Sequence, residues 1–278
     1  MYVLVTTPTG KVGSEVVRLL REKGIKHRIG ARTVEKAQKE FPDSEIVRFD
    51  YQDESTLKAA LQGVDAVYLA SPGAAPAEPE KRLVDLAKAG GVKRIVKLSA
   101  MGVDQNDAAP LRQVEKYIEA SGLEWTHVRP SFFMQNYSVA QAQSIRDGSF
   151  AEPADNARTP FIDARDIAEV AVKALTEDGH NGKAYALTGP ELLSRAQVAE
   201  KISQGIGKPV KYVPITDQQF REAMKAYMPP PVLELMSALY AGVRAGWTEV
   251  KTDTVQQVLG RPPRSFEEFV KDSRSAWS

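Results

Sequence analysis

The sequence predicts an α/β protein: a doubly wound, mostly parallel sheet carrying a smaller, mainly helical C-terminal substrate subdomain. Three observations predict it. Short apolar runs alternate with amphipathic stretches through the first half, and a glycine-bearing turn joins the first run to the first stretch. Past residue 130 the rhythm changes to longer helical stretches with isolated short strands. Parallel neighbours cannot be joined by tight turns, so each strand needs a crossover, and right-handed crossovers put helices on both faces.

Residues 2–5 read as the first strand, and residues 12–23 as a helix whose apolar stripe is Val12, Val16, Val17, Leu19 and Leu20, stopped by Gly24. Further strands are predicted at 26–31, 45–48, 66–70, 94–98 and 125–128, with helices at 56–61, 80–89 and 113–120. This organisation makes residues 1–150 one domain. Residues 160–190, with a helix at 164–175 and a strand at 183–187, return to it. Residues 191–278, with a strand at 210–213 and the run Pro229-Pro230-Pro231, form the smaller cap region. Residues 71–79 carry three prolines and a glycine directly after a strand, which is the expected place for a loop over a ligand.

Composition narrows the function. The chain has 278 residues, 42% hydrophobic and 26% charged, enough for a full-sized core. Its 37 basic and 36 acidic side chains leave a net charge of +1, so no global field recruits nucleic acid or an anionic membrane. Without cysteine there is no disulfide, thiolate nucleophile or Cys-ligated metal, which suits a reducing compartment. The first strand starts at once, where a secretory leader would place a basic stretch and a longer apolar run, so a leaderless cytoplasmic protein is expected. The expected partner is a small-molecule substrate, with no nucleic acid, no membrane, and a homodimer left open.

The most informative segment is Val5-Thr6-Thr7-Pro8-Thr9-Gly10-Lys11-Val12-Gly13. Between a strand and a helix, Gly10 lets the backbone approach a pyrophosphate and Gly13 lets the helix pack tightly. The helix N-terminus offers free N–H groups and a positive dipole end. The pattern is a degraded G-x-x-G-x-x-G, with Thr7 at the first glycine position. An NAD site normally places an acid about 20 residues beyond the glycines. Here Gly30-Ala31-Arg32-Thr33 stands instead. Arg32, with Lys36 a helical turn later, suits a 2′-phosphate, which favours NADPH (NADP) over NADH. Asp50 and Tyr51 lie where an adenine would rest, although an aspartate there is equally a turn cap.

Several segments together resemble the NmrA-like group of atypical short-chain dehydrogenases/reductases: residues 6–13, residues 31–37, Leu98-Ser99-Ala100, residues 121–136, residues 161–168 and residues 260–269. The group has a Rossmann-like NAD(P)-binding domain. It includes quinone, azo-dye and triphenylmethane reductases, alkaloid imine reductases, and regulators that bind the nucleotide without turnover. The resemblance implies that Thr7, Thr9, Gly10, Lys11 and Val12 surround the pyrophosphate and that Arg32 meets the adenosine phosphate. It also implies that Ala70 and Ser71 lie along the nucleotide, and Ser131, Phe132 and Phe133 beside the nicotinamide. Many relatives have glycine at the position of Thr7.

Catalytic residues are sparse. Typical short-chain dehydrogenases use a Tyr-x-x-x-Lys pair to lower the tyrosine pKa, and no such pair occurs in this chain. Some relatives carry a histidine or lysine where this chain has Leu111. Two side chains are catalytic candidates. Ser99 is placed to donate a hydrogen bond to a developing anion, or to cap the following turn. Tyr137 is placed as a proton donor, or as pocket wall or core. Asp163 and Asp166 read as a helix cap and its first-turn partner. Three scattered histidines make no zinc signature, no metal is expected, and no G-x-S-x-G elbow supports a hydrolase. The candidate substrate walls are Phe133, Met134, Tyr137, Phe150, Tyr227 and Trp247, with Phe132, Phe161, Met228, Met236 and Tyr240 also eligible. Those of the last third read equally as core of the cap. The expected activity is NADPH-dependent reduction by direct hydride transfer to a bulky apolar or aromatic electrophile: a quinone, an imine or iminium, an azo bond or a triphenylmethane. The alternative is a redox-sensing regulator that binds NADP(H) without turnover.

Overall fold

In chain order the elements are β1 (Tyr2–Thr6), α1 (Gly13–Glu22), β2 (Lys26–Ala31), α2 (Val34–Glu40), β3 (Glu45–Arg48), α3 (Glu54–Leu61), β4 (Ala66–Leu69), α4 (Ala77–Ala89), β5 (Arg94–Leu98), α5 (Pro110–Ala120) and β6 (Glu124–Pro130). There follow α6 (Gln135–Ser138), α7 (Ala142–Arg146), β7 (Ser149–Glu152), β8 (Arg158–Thr159), α8 (Ala164–Thr176), β9 (Lys183–Leu187), β10 (Leu193–Ser194) and α9 (Arg195–Ile206). The last are β11 (Lys211–Pro214), α10 (Asp217–Met224), α11 (Pro230–Arg244), α12 (Thr254–Leu259) and α13 (Phe266–Asp272). The computed structural model describes residues 1–71 and 76–278, so the expected loop at 71–79 lies partly outside the described residues.

The chain divides into two compact units, Met1–Pro130 with Ala164–Ala186, and Ser131–Asp163 with Leu187–Ser278. The change of unit comes at Ser131 rather than at the expected 150, because the aromatic side chains that follow Pro130 bury themselves in the second unit's core.

The first unit is built on a seven-stranded sheet in the order β3-β2-β1-β4-β5-β6-β9. The pairings from β1 to β6 are all parallel, with Val5 between Ile29 of β2 and Tyr68 of β4. Strands covered on both faces need continuous apolar runs, and all five residues of β1 and all four of β4 are buried. One face packs Leu4, Val67, Leu69 and Ile95 against Leu57, Leu83, Val84, Val114 and Ile118 of the helices. α8 joins the unit through a run of buried residues that includes Ile167, Val170, Ala171 and Ala174. Arg94 of β5 closes its C-terminal end by donating from Nη1 to the carbonyls of Leu175 (3.2 Å) and Glu177 (2.8 Å). The strand order reverses between β1 and β4, so the crevice beyond the end of β1 is the switch point of the sheet.

The second unit has two clusters. Met134, Tyr137, Ile145, Phe150, Phe161, Val198, Ile202, Phe266, Phe269 and Trp277 make the larger, and Phe220, Leu233, Tyr240 and Val243 the smaller, with half-buried Phe132 touching both. β7 pairs with β11 in parallel, so the strand expected at 210–213 is present, one residue later. Three helices start with reciprocal capping boxes: Ser194 with Gln197, Thr216 with Gln219, and Ser265 with Glu268.

Candidate functional site

The turn between β1 and α1 is shaped by two residues that need unusual backbone. Thr7 sits at φ +48°, in the left-handed region where a side chain costs about 1 kcal/mol or more, which is why glycine suits this position. Its carbonyl accepts the Gly10 N–H at 3.1 Å. A Cβ on Gly13 would stand 2.2 Å from that same carbonyl oxygen, so the helix can start this close to the turn only with glycine there. Gly10 is less constrained: a Cβ would lie 3.3 Å from the Thr7 oxygen, and the residue is exposed. No side chain caps α1, and the Ser14 N–H donates to the Gly10 carbonyl of the turn at 3.0 Å. Thr9 is exposed, Val12 buried, and Lys11 half-buried, with burial pulling its ammonium pKa below the ordinary lysine value. This is a backbone cradle with a positive dipole end, suited to a pyrophosphate.

Arg32 follows β2 directly, and Arg32 and Lys36 are both exposed. Gly30 before them is required by the neighbouring strand's extension, since a Cβ would meet the Phe49 ring at 2.9 Å. The sequence offered no signal for that contact. Asp50 behaves as a turn residue: its Oδ1 accepts the Gln52 N–H at 3.0 Å. Tyr51 donates its hydroxyl to the Ala70 carbonyl at 2.8 Å, joining the ends of β3 and β4. Burial, followed by the Glu80 charge, raises its pKa well above the ordinary tyrosine value. The Ala70 N–H in turn donates to Thr6 Oγ1 at 2.9 Å, and Ser71 is half-buried beyond it.

Ser99 follows β5 with its N–H on the Val128 carbonyl at 2.8 Å, and its buried hydroxyl lies beside Glu115, whose carboxyl it helps to hold low. Below it lies a charged layer. Arg129 forks onto Glu115 at 2.9 and 2.8 Å, and Arg112 reaches Glu115 at 3.0 Å and Glu119 at 2.6 Å. Burial pulls the Glu115 carboxyl up, but Arg129 and the neighbouring charges hold it below the ordinary value. His127 stands 3.2 Å from Glu119, and burial depresses its pKa to about 4. Ligand atoms of Glu115, Glu119 and His127 lie within 4.8 Å of one another, but two guanidiniums already occupy the carboxylates, which opposes a cation there.

In the second unit, the Ser131 N–H donates to the Leu187 carbonyl at 2.9 Å while its buried Oγ has no partner. Phe132 and Phe133 are half-buried, and Phe133 forms a bridge with Ile162. The structure moves several expected pocket residues to other roles. Met134, Tyr137 and Phe150 are each 1% exposed and belong to the closed core. The Tyr137 ring stands edge-on to Phe150, Phe161 and Phe266 at 5.2, 5.4 and 5.9 Å. Burial raises its pKa well above the ordinary value, so Tyr137 packs the interior instead of presenting a proton. Tyr227 lies 81% exposed, and Trp247 is 39% exposed with its indole laid on Gly242, where a Cβ would stand 2.0 Å from Nε1. Asp163 immediately precedes α8 and Asp166 lies in its first turn, both fully buried. Among the described residues no helix is long and apolar enough to cross a membrane.

Known proteins resemble this chain over nearly its whole length. The chain is 39% identical over 284 residues to an NAD(P)H azoreductase of Xenophilus azovorans, covering 99% of both chains. It is 36% identical over 283 residues to a (4-alkanoyl-5-oxo-2,5-dihydrofuran-3-yl)methyl phosphate reductase of Streptomyces griseus, again covering 99% of each. An NADPH-dependent quinone oxidoreductase from Escherichia coli, solved in complex with NADPH, superposes with a TM-score of 0.85 at 26% identity, covering 98% of this chain and 99% of that one. The NmrA-like family model matches residues 1–270, and the chain belongs to that family.

Proposed function

We propose that this NmrA-like chain, an NAD(P)H-dependent oxidoreductase, reduces a flat, largely apolar electrophile of quinone, imine or azo type and prefers NADPH to NADH. The observation that carries the reading is the β1–α1 turn, with Gly13 under the Thr7 carbonyl and an uncapped helix, followed at the end of β2 by Arg32 in place of an acid. The names of the azoreductase and quinone oxidoreductase relatives support the same acceptor class. Thr7, Thr9, Gly10, Lys11 and Val12 would hold the pyrophosphate, Arg32 and Lys36 the adenosine phosphate, and Asp50, Tyr51, Ala70 and Ser71 the rest of the nucleotide. Family resemblance assigns Ser131, Phe132 and Phe133 to the nicotinamide end.

The bound dinucleotide supplies the hydride. The protein binds, orients and keeps water out, and the Ser99 hydroxyl, just past the end of β5, would offer one hydrogen bond to charge developing on the acceptor. An acceptor that needs little acid assistance fits a chain without a Tyr-x-x-x-Lys pair.

The test is a fluorescence titration with NADPH and NADH, followed by nicotinamide absorbance in the presence of quinones, cyclic imines and azo or triphenylmethane dyes. Acceptor-dependent oxidation of NADPH is the expected outcome. Tight binding without turnover by any acceptor would replace the reductase with a nucleotide-binding regulator. Arg32→Ala should weaken NADPH about tenfold or more, the scale of a lost charge-assisted bond, and leave NADH nearly unchanged. Equal loss for both cofactors would remove the 2′-phosphate assignment.

A further inference from the structure

β1 and β4 are neighbours in the sheet, and their paired register closes with Val5 opposite Tyr68. Beyond that point a side chain takes over from the ladder. The Ala70 N–H donates to Thr6 Oγ1 at 2.9 Å, and the same hydroxyl lies 3.0 Å from the carbonyl oxygens of both Tyr68 and Ala70. One hydroxyl proton can serve only one of those two acceptors at a time. The Ala70 oxygen has a second donor, the Tyr51 hydroxyl at 2.8 Å, so its direction is held independently of Thr6. The backbone of Ala70 is thus fixed by side chains at its N–H and at its C=O.

Tyr51 reaches Ala70 from the other side of the switch point. The sheet order β3-β2-β1-β4 puts the strand it follows three places from the strand it holds. Its ring stands edge-on to Phe49 with centres 5.0 Å apart and packs on the core cluster that includes Leu57 and Leu69. Burial, and then the Glu80 carboxylate that Lys97 holds at 3.0 Å, keep the hydroxyl protonated well above the ordinary tyrosine range, so it stays a donor. With its ring and its proton both engaged by the protein, the side chain has little left to offer an adenine. Arg32 follows β2 on one side of β1, and Ala70 follows β4 on the other. A dinucleotide laid across the crevice with its adenosine phosphate at Arg32 brings the half beyond the pyrophosphate to Ala70.

We propose that Tyr51 is a positioning residue of the dinucleotide site: through the Ala70 carbonyl it fixes the end of β4 against the half of the dinucleotide beyond the pyrophosphate, and it does not contact the adenine. The inference rests on the nucleotide reading of the β1–α1 turn and refines the part Tyr51 plays in it. Removing the hydroxyl leaves the Thr6 proton to be divided between the Tyr68 and Ala70 carbonyls. The end of β4 then loses its one fixed direction, while the ring and the core packing stay. Because that half of the dinucleotide carries the hydride, a small displacement there is felt by the reaction as well as by binding.

The experiment titrates the full chain with NADPH, NADH and 2′,5′-ADP by calorimetry. The last carries the adenosine and its 2′-phosphate but stops at the first phosphate of the bridge. Tyr51→Phe should weaken NADPH and NADH alike, by about threefold to tenfold, the scale of one neutral hydrogen bond, and leave 2′,5′-ADP within about twofold. Thr6→Val, which strands the Ala70 N–H, should repeat that pattern, and Thr6→Ser, which keeps the hydroxyl, should restore binding. Thermal unfolding of each variant reports its integrity. A fall in 2′,5′-ADP affinity equal to that in NADPH affinity would put Tyr51 on the adenine and overturn the proposal. Unchanged NADPH affinity in Tyr51→Phe, with or without a loss of Tm, would make the hydroxyl a strut of the fold alone and overturn it too. Absence of binding by both NADPH and 2′,5′-ADP in the unaltered protein would instead remove the nucleotide site on which the proposal rests.

Discussion

In the first compact unit, polar side chains are tied across a regular sheet of aliphatic strands: Thr6 Oγ1 meets the backbone of Tyr68 and Ala70, and Lys97 on β5 meets Glu80 on α4 at 3.0 Å with neither exposed to more than a few per cent, while Tyr68 Oη, His27 Nε2 and His127 Nδ1 are buried without a hydrogen-bond partner. In the second, the interior is a set of aromatic edges, with the wholly buried guanidinium of Arg195 enclosed beside them. The difference has a physical origin. A parallel sheet covered on both faces satisfies its own backbone and fills its core with aliphatic runs from the strands themselves. The second unit, with short strands and capped helices, closes its core with side chains drawn from distant parts of the chain, and polar residues are enclosed along with them.

The largest effects sharpen this contrast. Lys97→Ala should cost about 3–5 kcal/mol, because it strands the buried Glu80 carboxylate. Phe150→Ala in the second unit should cost about the same, through a cavity. Chemical unfolding separates the causes: Lys97→Met combined with Glu80→Leu should recover most of the loss, since the pair's charges go together. A double variant as unstable as Lys97→Ala would show that the lysine contributes packing instead of charge pairing.

Next comes a pH effect confined to the first unit. Burial holds folded His127 near a pKa of about 4, against an ordinary value near 6.5, so the unfolded chain binds the extra proton between those limits. Stability should therefore be fully present above pH 6.5 and decline as pH falls toward 4, by on the order of 2–3 kcal/mol from this group. His127→Gln should flatten that part of the curve, and a slope unchanged in the variant would assign it to the surrounding carboxylates.

Two smaller changes probe the turn. Gly13→Ala should cost about 1–3 kcal/mol and weaken both NADPH and NADH, because the new Cβ meets the Thr7 carbonyl. Unaltered melting and affinity would mean that the helix start is not pinned by that carbonyl. Thr7→Gly should go the other way, raising stability by up to about 1 kcal/mol as the strain at φ +48° is relieved, offset in part by the entropy of the freer unfolded chain. A loss of Tm would show that the threonine side chain makes compensating contacts.

Strands β2, β3, β5 and β9 begin and end where the sequence places them, although β3 and most of β9 are only partly buried. The three capping boxes of the second unit were equally legible as Ser/Thr-x-x-Gln/Glu, and reading them would have located the starts of α9, α10 and α13. The hydroxyl of Tyr137 illustrates the opposite case. Its neighbours in sequence, Phe132, Phe133 and Met134, are compatible with a pocket or a core, and only the arrival of Phe150, Phe161 and Phe266 around it decides for the core.

By itself the sequence determined the parallel α/β architecture, the glycine-shaped turn after β1 and the basic residue after β2, since each follows from local spacing and backbone chemistry within a few residues. The tertiary structure alone decided that Gly30 yields to Phe49 and that Arg195 is enclosed with Glu152, 43 residues away in sequence. These are contacts between segments that no local pattern brings together. Their energies depend on which side chains share a small volume, a quantity set only when the chain has closed.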